Sequence, residues 1–328
     1  MRILLTGSAG FIGMHVTEAL LKNKHQILGV DNLSSYYSVK LKKKRLTKLI
    51  KYKNFIFKKI DINNFKKLDR IFKNFKPTLV INLAAQAGVR YSSLYPDKYL
   101  KSNIVGFFNI LQLLIKHNVK KFIFASSSSV YGVKSKSSNS EDQNTDKQLS
   151  FYASTKKSNE SMAFAYSHLY NLPTIGIRFF TVYGPWGRPD MALFKFTEKI
   201  IKNKYIEVYN NGEMYRSFTY IDDVTKAMLK IISKIDKIKD SKVPYKILNI
   251  GSNKSEKLLN FISLIEKNLN KKAKKKYLPI QMGDTNSTKA DLRQLKKFIN
   301  YEPKTKIAEG IGKFIEWHKS YINSNKNS

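Results

Sequence analysis

Two residues four apart open the reading. Tyr152 and Lys156, in Tyr152-Ala153-Ser154-Thr155-Lys156, share one face if the segment is helical. A tyrosine serves as a general base only when its pKa falls well below the ordinary value of about 10. A neighbouring ammonium and the positive charge of an oxidised nicotinamide both favour the phenolate. Lys156 supplies the first and, by holding the nicotinamide ribose, positions the second. Upstream, Ser126-Ser127-Ser128-Ser129-Val130-Tyr131-Gly132 offers hydroxyls to hold a reacting sugar oxygen beside the phenolate. Y-x-x-x-K alone is common on exposed helix faces. It gains meaning only beside a cofactor site.

That site is written at the N-terminus. Gly7-Ser8-Ala9-Gly10-Phe11-Ile12-Gly13 joins the apolar strand Ile3-Leu4-Leu5 to a helix. Its glycines allow a tight turn, close approach of backbone amides to a pyrophosphate, and helix–strand packing. Asp31, 18 residues after Gly13, ends the second strand. An acid there accepts both adenosine-ribose hydroxyls and repels a 2′-phosphate, which favours NAD over NADP. Asp61-Ile62 follows the third strand, where adenine would sit.

The elements that must position these groups alternate regularly. Apolar runs at 27–31, 55–57, 79–83, 122–125 and 174–178 are separated by helix-length segments. Fully apolar strands between helices imply an α/β fold with a parallel sheet covered on both faces, a Rossmann-type doubly wound sheet. Residues 1–180 form this dinucleotide-binding domain, and a strand at 246–250 is expected to rejoin it. Stretches 181–245 and 251–328 read as a smaller C-terminal α/β substrate lobe. Lys134 to Gln148 reads as a polar surface loop.

Composition narrows the classes. A hydrophobic share of 42% over 328 residues excludes a disordered chain. With no cysteine, disulfides, thiolate catalysis and cysteine-ligated metals are excluded. The five histidines lack metal-ligand spacing, so no metal is expected. The opening lacks a secretory pattern and no apolar run is long enough to span a bilayer. A cytoplasmic protein with no membrane partner is expected. The net charge of +36 invites a nucleic-acid reading. However, only eight basic residues are arginine and the lysines are spread over the whole chain, so no nucleic-acid partner is expected. The denser runs, Lys40 to Lys53 and Lys271 to Lys276, read as solvated helix faces or loops. Asp222-Asp223 reads as a helix cap. Arg90, Arg178, Arg188 and Arg216 stand inside motif-like stretches.

These motifs resemble the extended short-chain dehydrogenase/reductases, within them the nucleotide-sugar epimerases, and most closely the UDP-glucuronate 4-epimerases. The likeness runs from Met1 to about Tyr321. It is carried by Asp31-Asn32-Leu33 with Tyr36-Tyr37, by Asn82 to Ser92, and by Ala125 to Gly132. Tyr152 to Lys157, Arg178 to Met191, Phe218 to Asp223 and Asn249-Ile250-Gly251 continue it. The stretches Ala87-Gly88-Val89-Arg90-Tyr91-Ser92 and Thr181 to Met191 point to the uronate branch.

The resemblance implies Tyr152 as base, Lys156 as its activator and Ser127 as the hydroxyl partner. It implies Asn32, Leu83-Ala84-Ala85 and Asn103 beside the cofactor, Thr181 against the sugar and Arg216 on the diphosphate. Arg90 and Arg188 are candidates for negative charge on the substrate, with Arg188 favoured for the uronate. Ser128 and Ser129 are candidates to hold its carboxylate. Related decarboxylases often carry an acid in the serine-run segment, and Ser126 to Gly132 has none. Gln281, Asn286 and Lys289 depart from the family pattern. The resemblance also implies a homodimer, through helices near 103–117 and 153–170, and a place in polysaccharide biosynthesis. The alternatives are a UDP-glucuronate decarboxylase, a neutral UDP-sugar 4-epimerase, and a non-catalytic dinucleotide-binding protein.

Overall fold

Strands whose successive side chains are buried on opposite faces build the centre of the molecule. Ile3 and Leu5 join one apolar cluster while Leu4, between them, joins the other. Leu79, Val80 and Ile81 divide in the same way. A strand buried on both faces needs helices on both sides, as its unbroken apolar run implies. The computed structural model describes residues 1–132, 138–281 and 283–326. Of the expected surface loop, 134–137 lie outside the described residues.

The first six strands are β1 (Arg2–Thr6), β2 (Gln26–Asp31), β3 (Phe55–Lys59), β4 (Leu79–Asn82), β5 (Phe122–Ser127) and β6 (Thr174–Phe179). The chain then leaves the sheet for β7 (Thr181–Tyr183), β8 (Tyr205–Tyr209), β9 (Tyr215–Arg216) and β10 (Phe218–Tyr220). It returns in β11 (Tyr245–Ile250), before β12 (Glu256–Lys257) and β13 (Lys274–Leu278). The main sheet has the order β11-β6-β5-β4-β1-β2-β3, and every pair is parallel. The strand order reverses between β1 and β4, and ligands bind at that kind of crevice.

Three strand pairs, β7 with β10, β8 with β13, and β9 with β12, mark the second region. The helices Ala192–Ile201, Leu258–Leu269 and Ile307–Lys326 accompany them. The helix Ile221–Lys234 packs on the helix Phe11–Lys22 that follows β1. One apolar cluster therefore runs from Ile3 and Met14 through Val224 and Met228 to Phe261 and Phe314.

Asp222 and Asp223 do not cap their helix. It starts at Ile221 with no side-chain cap. Asp223 instead accepts from the Tyr301 hydroxyl (2.8 Å) and from the amides of Lys304 (3.1 Å) and Thr305 (2.8 Å). The acid follows the helix start, so it fixes a neighbouring segment.

Candidate active site

The glycine loop needs its glycines. Gly7 has φ +75°, and a Cβ there would lie 2.7 Å from the Ala84 nitrogen beyond β4. A Cβ on Gly13 would stand 2.0 Å from the Gly7 carbonyl oxygen. The helix Phe11–Lys22 begins with no side-chain cap, which leaves its first amides free for an anion. Thr6 Oγ1 donates to Asn82 (2.5 Å) and accepts from the Ala84 amide (3.2 Å), tying β1 to the end of β4. Asp31 is buried and accepts from the amides of Ala9 (3.1 Å) and Leu33 (2.8 Å). Burial pushes its carboxyl above the usual range. Asn32 donates to Asp61 across the mouth of β2 and β3 (2.8 Å).

One cleft gathers most of the expected residues. Gly7, Gly10, Phe11, Ile12, Gly13, Asp31, Asn32, Ile62, Leu83, Ala84 and Ala85 line it at one end. Ser127, Tyr152, Lys156 and Arg188 line it at the other. These residues fit a dinucleotide: crowded glycines, open helix amides and a buried acid stand in one continuous groove.

Local sequence sets the phenol. Ser150 caps the helix Phe151–Tyr170, accepting from the Ala153 amide (3.2 Å), so Tyr152 stands in the first turn. Lys156 follows one turn later. Burial pushes the Tyr152 phenol above its ordinary value, while a hydrogen bond with Ser127 and the Arg188 charge pull it down. Lys156 is buried and donates to the Ala125 carbonyl (2.8 Å). Burial lowers its pKa to about 8, opposed by the Glu160 carboxylate. The lowering influences on Tyr152 thus come from Ser127 and Arg188, with Lys156 turned to the end of β5. Ser129 Oγ meets Ser127 Oγ at 2.5 Å, and Ser128 is half-buried beside them.

Other expected residues stand elsewhere. Asn103 does not line the cleft. It is buried in a wide π-type turn, Leu100–Val105, where it bonds both the amide and the carbonyl of Gln86 (2.8 and 3.0 Å) and Thr155 (3.0 Å). Its amide is spent on the wall behind the site. Thr181 lines a smaller apolar pocket that shares Phe11, Val182, Arg188 and Met191 with the cleft. Arg90 and Arg216 meet the same carboxylate, Asp284, at 3.8 and 2.7 Å. Arg90 also lies over the Tyr209 ring, 4.5 Å from its centre.

Several residues escaped the sequence reading. Arg188 forks onto Asp190 (3.0 and 2.5 Å), which also accepts from the Tyr36 hydroxyl (3.1 Å). Arg178 forks onto Glu160 with two bonds of 2.8 Å, and Ser126 adds a third of 2.5 Å. Glu160 lies four residues after Lys156, and that spacing was its only signal. The basic run 40–53 is not wholly solvated: Lys42 lines the cleft and Arg45 is fully buried. Among the described residues no group of His, Asp or Glu is arranged to hold a metal.

Residues 3–251 match the NAD dependent epimerase/dehydratase family. Protein CapI of Staphylococcus aureus is 48% identical, over 98% of this chain and 99% of that protein. The UDP-glucuronate 4-epimerase of Thermodesulfobacterium geofontis is 42% identical, over 97% of this chain and 96% of that protein. Among solved structures, UDP-glucuronic acid 4-epimerase from Bacillus cereus, in complex with UDP-glucuronic acid and NAD, superposes with a TM-score of 0.91. It is 32% identical, covering 98% of this chain and all of that one (100%). On its own motifs and on these likenesses, the chain belongs to the NAD-dependent epimerase/dehydratase family.

Proposed function

We propose that this chain interconverts UDP-glucuronate and UDP-galacturonate by transient oxidation at sugar C4, with NAD as a resident cofactor. The observation that carries the reading is one cleft joining the glycine loop and Asp31 to Tyr152, Ser127, Lys156 and Arg188. NAD, when bound, supplies the acceptor and donor of the C4 hydride. Gly7, Gly10, Phe11, Ile12 and Gly13 would hold its diphosphate. Asp31 and Asn32 would hold the adenosine ribose, Asp61 and Ile62 the adenine, and Leu83, Ala84, Ala85 and Lys156 the nicotinamide half. Asn103 supports that wall from behind.

Tyr152 takes the proton of the 4-hydroxyl and, once the keto sugar has turned to present the other face of C4, returns it to the C4 oxygen. Ser127 holds the reacting oxygen beside the phenol. Burial opposes ionisation of Tyr152, so its phenolate requires added positive charge close by. The 4-keto uronate is a β-keto acid that loses carbon dioxide if its carboxylate is free to align. Arg188, Ser128, Ser129 and Thr181 hold that carboxylate, and a guanidinium fork suits it better than an ammonium. Arg216 and Arg90 present positive charge to the diphosphate. Residues 1–180 with β11 serve the dinucleotide, and 181–245 with 251–328 serve the sugar nucleotide.

A cytoplasmic homodimer acting in polysaccharide biosynthesis completes the reading. The dimer is supported by exposed Leu100, Val105, Phe108 and Phe164 on three neighbouring helical segments, Leu100–Val105, Gly106–Lys116 and Phe151–Tyr170. The decisive experiment incubates the purified protein with UDP-glucuronate, without added NAD, and identifies the product by NMR. UDP-galacturonate is expected. A UDP-pentose would make the protein a decarboxylase, and unchanged substrate would end the uronate reading.

A further inference from the structure

Arg45 lies on the helix Val39–Ile50, whose Lys40 and Lys43 are exposed. Its own side chain is fully buried. The guanidinium donates five hydrogen bonds. Nη1 reaches the Ala9 carbonyl (3.0 Å) and the Tyr37 hydroxyl (2.7 Å). Nε (3.2 Å) and Nη2 (2.6 Å) reach the Trp186 carbonyl, and Nη2 also reaches the Gly187 carbonyl (3.1 Å). None of the five goes to a carboxylate. A buried cation with no carboxylate hydrogen-bonded to it among the described residues, and with Asp31 only at electrostatic range, is a costly way to gain stability, since an apolar side chain would avoid the desolvation.

The acceptors give the position another purpose. Ala9 is inside the glycine loop, and Trp186 and Gly187 directly precede Arg188. Trp186 has φ +62°, a left-handed backbone unfavourable for an aromatic residue. Three of the five Arg45 bonds hold the carbonyls of that turn. Two adjacent tyrosines split between the two arginines: Tyr37 accepts from Arg45, and Tyr36 donates to the Asp190 carboxylate that Arg188 grips.

We propose that Arg45 is a positioning residue that ties the loop under the dinucleotide to the loop carrying Arg188, so that one side chain fixes both binding ends of the cleft. The proposal rests on the epimerase reading above. A lysine keeps the charge but has no planar fork, so it cannot span both loops.

The test compares the wild-type protein with Arg45→Lys, Tyr37→Phe and Leu49→Ala. Leu49 is buried on the same helix and its apolar side chain hydrogen-bonds neither loop, so its truncation lowers stability without removing a bond to them. Two quantities are read on the purified proteins: NAD released per chain on denaturation, and the affinities for UDP-glucuronate and for UDP by calorimetry. UDP lacks the sugar and so does not report on Arg188. Arg45→Lys is expected to lower NAD content at least threefold and to weaken UDP-glucuronate at least tenfold relative to UDP. Tyr37→Phe should move both in the same direction by two- to threefold, and it carries the test if Arg45→Lys does not fold. Leu49→Ala should lower the melting temperature and leave both quantities unchanged. Unchanged values in the folded Arg45 or Tyr37 variants, or equal shifts in Leu49→Ala, would overturn the proposal. A wild-type protein that holds no NAD or does not bind UDP-glucuronate defeats the epimerase reading itself, and the proposal with it, before any variant is made.

Discussion

Tyr152 carries the proposed chemistry through its hydroxyl alone, so removing that atom is the sharpest perturbation. Tyr152→Phe should lower kcat by roughly 10²- to 10⁴-fold, the usual worth of a placed acid–base group, with the circular dichroism spectrum and bound NAD unchanged. Activity within tenfold of wild type would take Tyr152 out of the base role. At the other end, Asp31 accepts two backbone amides, and ribose hydroxyls are its proposed further partners. Asp31→Asn should weaken NAD by about 10- to 100-fold, as loss of a charged hydrogen-bond acceptor does, and narrow its preference over NADP. Titration of both dinucleotides checks this, and an unchanged preference would free Asp31 of that task. The tyrosine, lysine, serines and glycines were legible because their spacing is local. The acids that hold the arginines were not, since Arg216 and Asp284 are 68 residues apart and no periodicity links them. Arg45 was legible in principle. Leu41, Arg45 and Leu49 recur every four residues and so share the inner face, a pattern hidden by the surrounding lysines.

The helix Phe151–Tyr170 presents Tyr152 from its first turn, so its start bears on the proposed reaction. Ser150→Ala removes the cap and should cost about 1 kcal/mol, lowering the melting temperature by a few degrees. Because the first turn frays without its cap, kcat should fall by a larger factor than UDP affinity. Equal losses in the two would separate the cap from the placement of the phenol. Strands were the most legible elements, since unbroken apolar runs between helices admit few other arrangements. Helix faces were less so. Asp222-Asp223 has the composition of a cap, yet Asp223 serves the 301–305 segment, a tertiary contact that overrides the local signal.

Across the whole molecule, acid sensitivity should trace to two desolvated imidazoles, half-buried His15 and buried His318, as well as to the charge of +36. His15 and His318 are lowered from 6.5 to about 4, chiefly by burial. Neither ring nitrogen of His318 has a hydrogen-bond partner, and the ring packs against Phe194, Phe314 and Trp317. Well above pH 6.5 both rings are neutral folded or unfolded, and they add no pH dependence. As the pH falls from 6.5 towards 4, the unfolded chain takes up protons that the folded chain refuses. Stability then drops by roughly 3 kcal/mol per ring. His318→Leu should narrow the gap between melting temperatures at pH 7 and pH 4.5, and an unaltered gap would clear His318 of the effect. The order of strands has a consequence of its own. Because β11 pairs with β6 only after the excursion through β7 to β10, the main sheet is completed by chain that follows that excursion. During synthesis six strands can assemble while the rim of β6 stays bare until residue 250 has emerged. A protein cut short before that point would display an open edge ready to recruit a neighbour. A single nick within the excursion, by contrast, would leave two fragments still clasped together by the sheet.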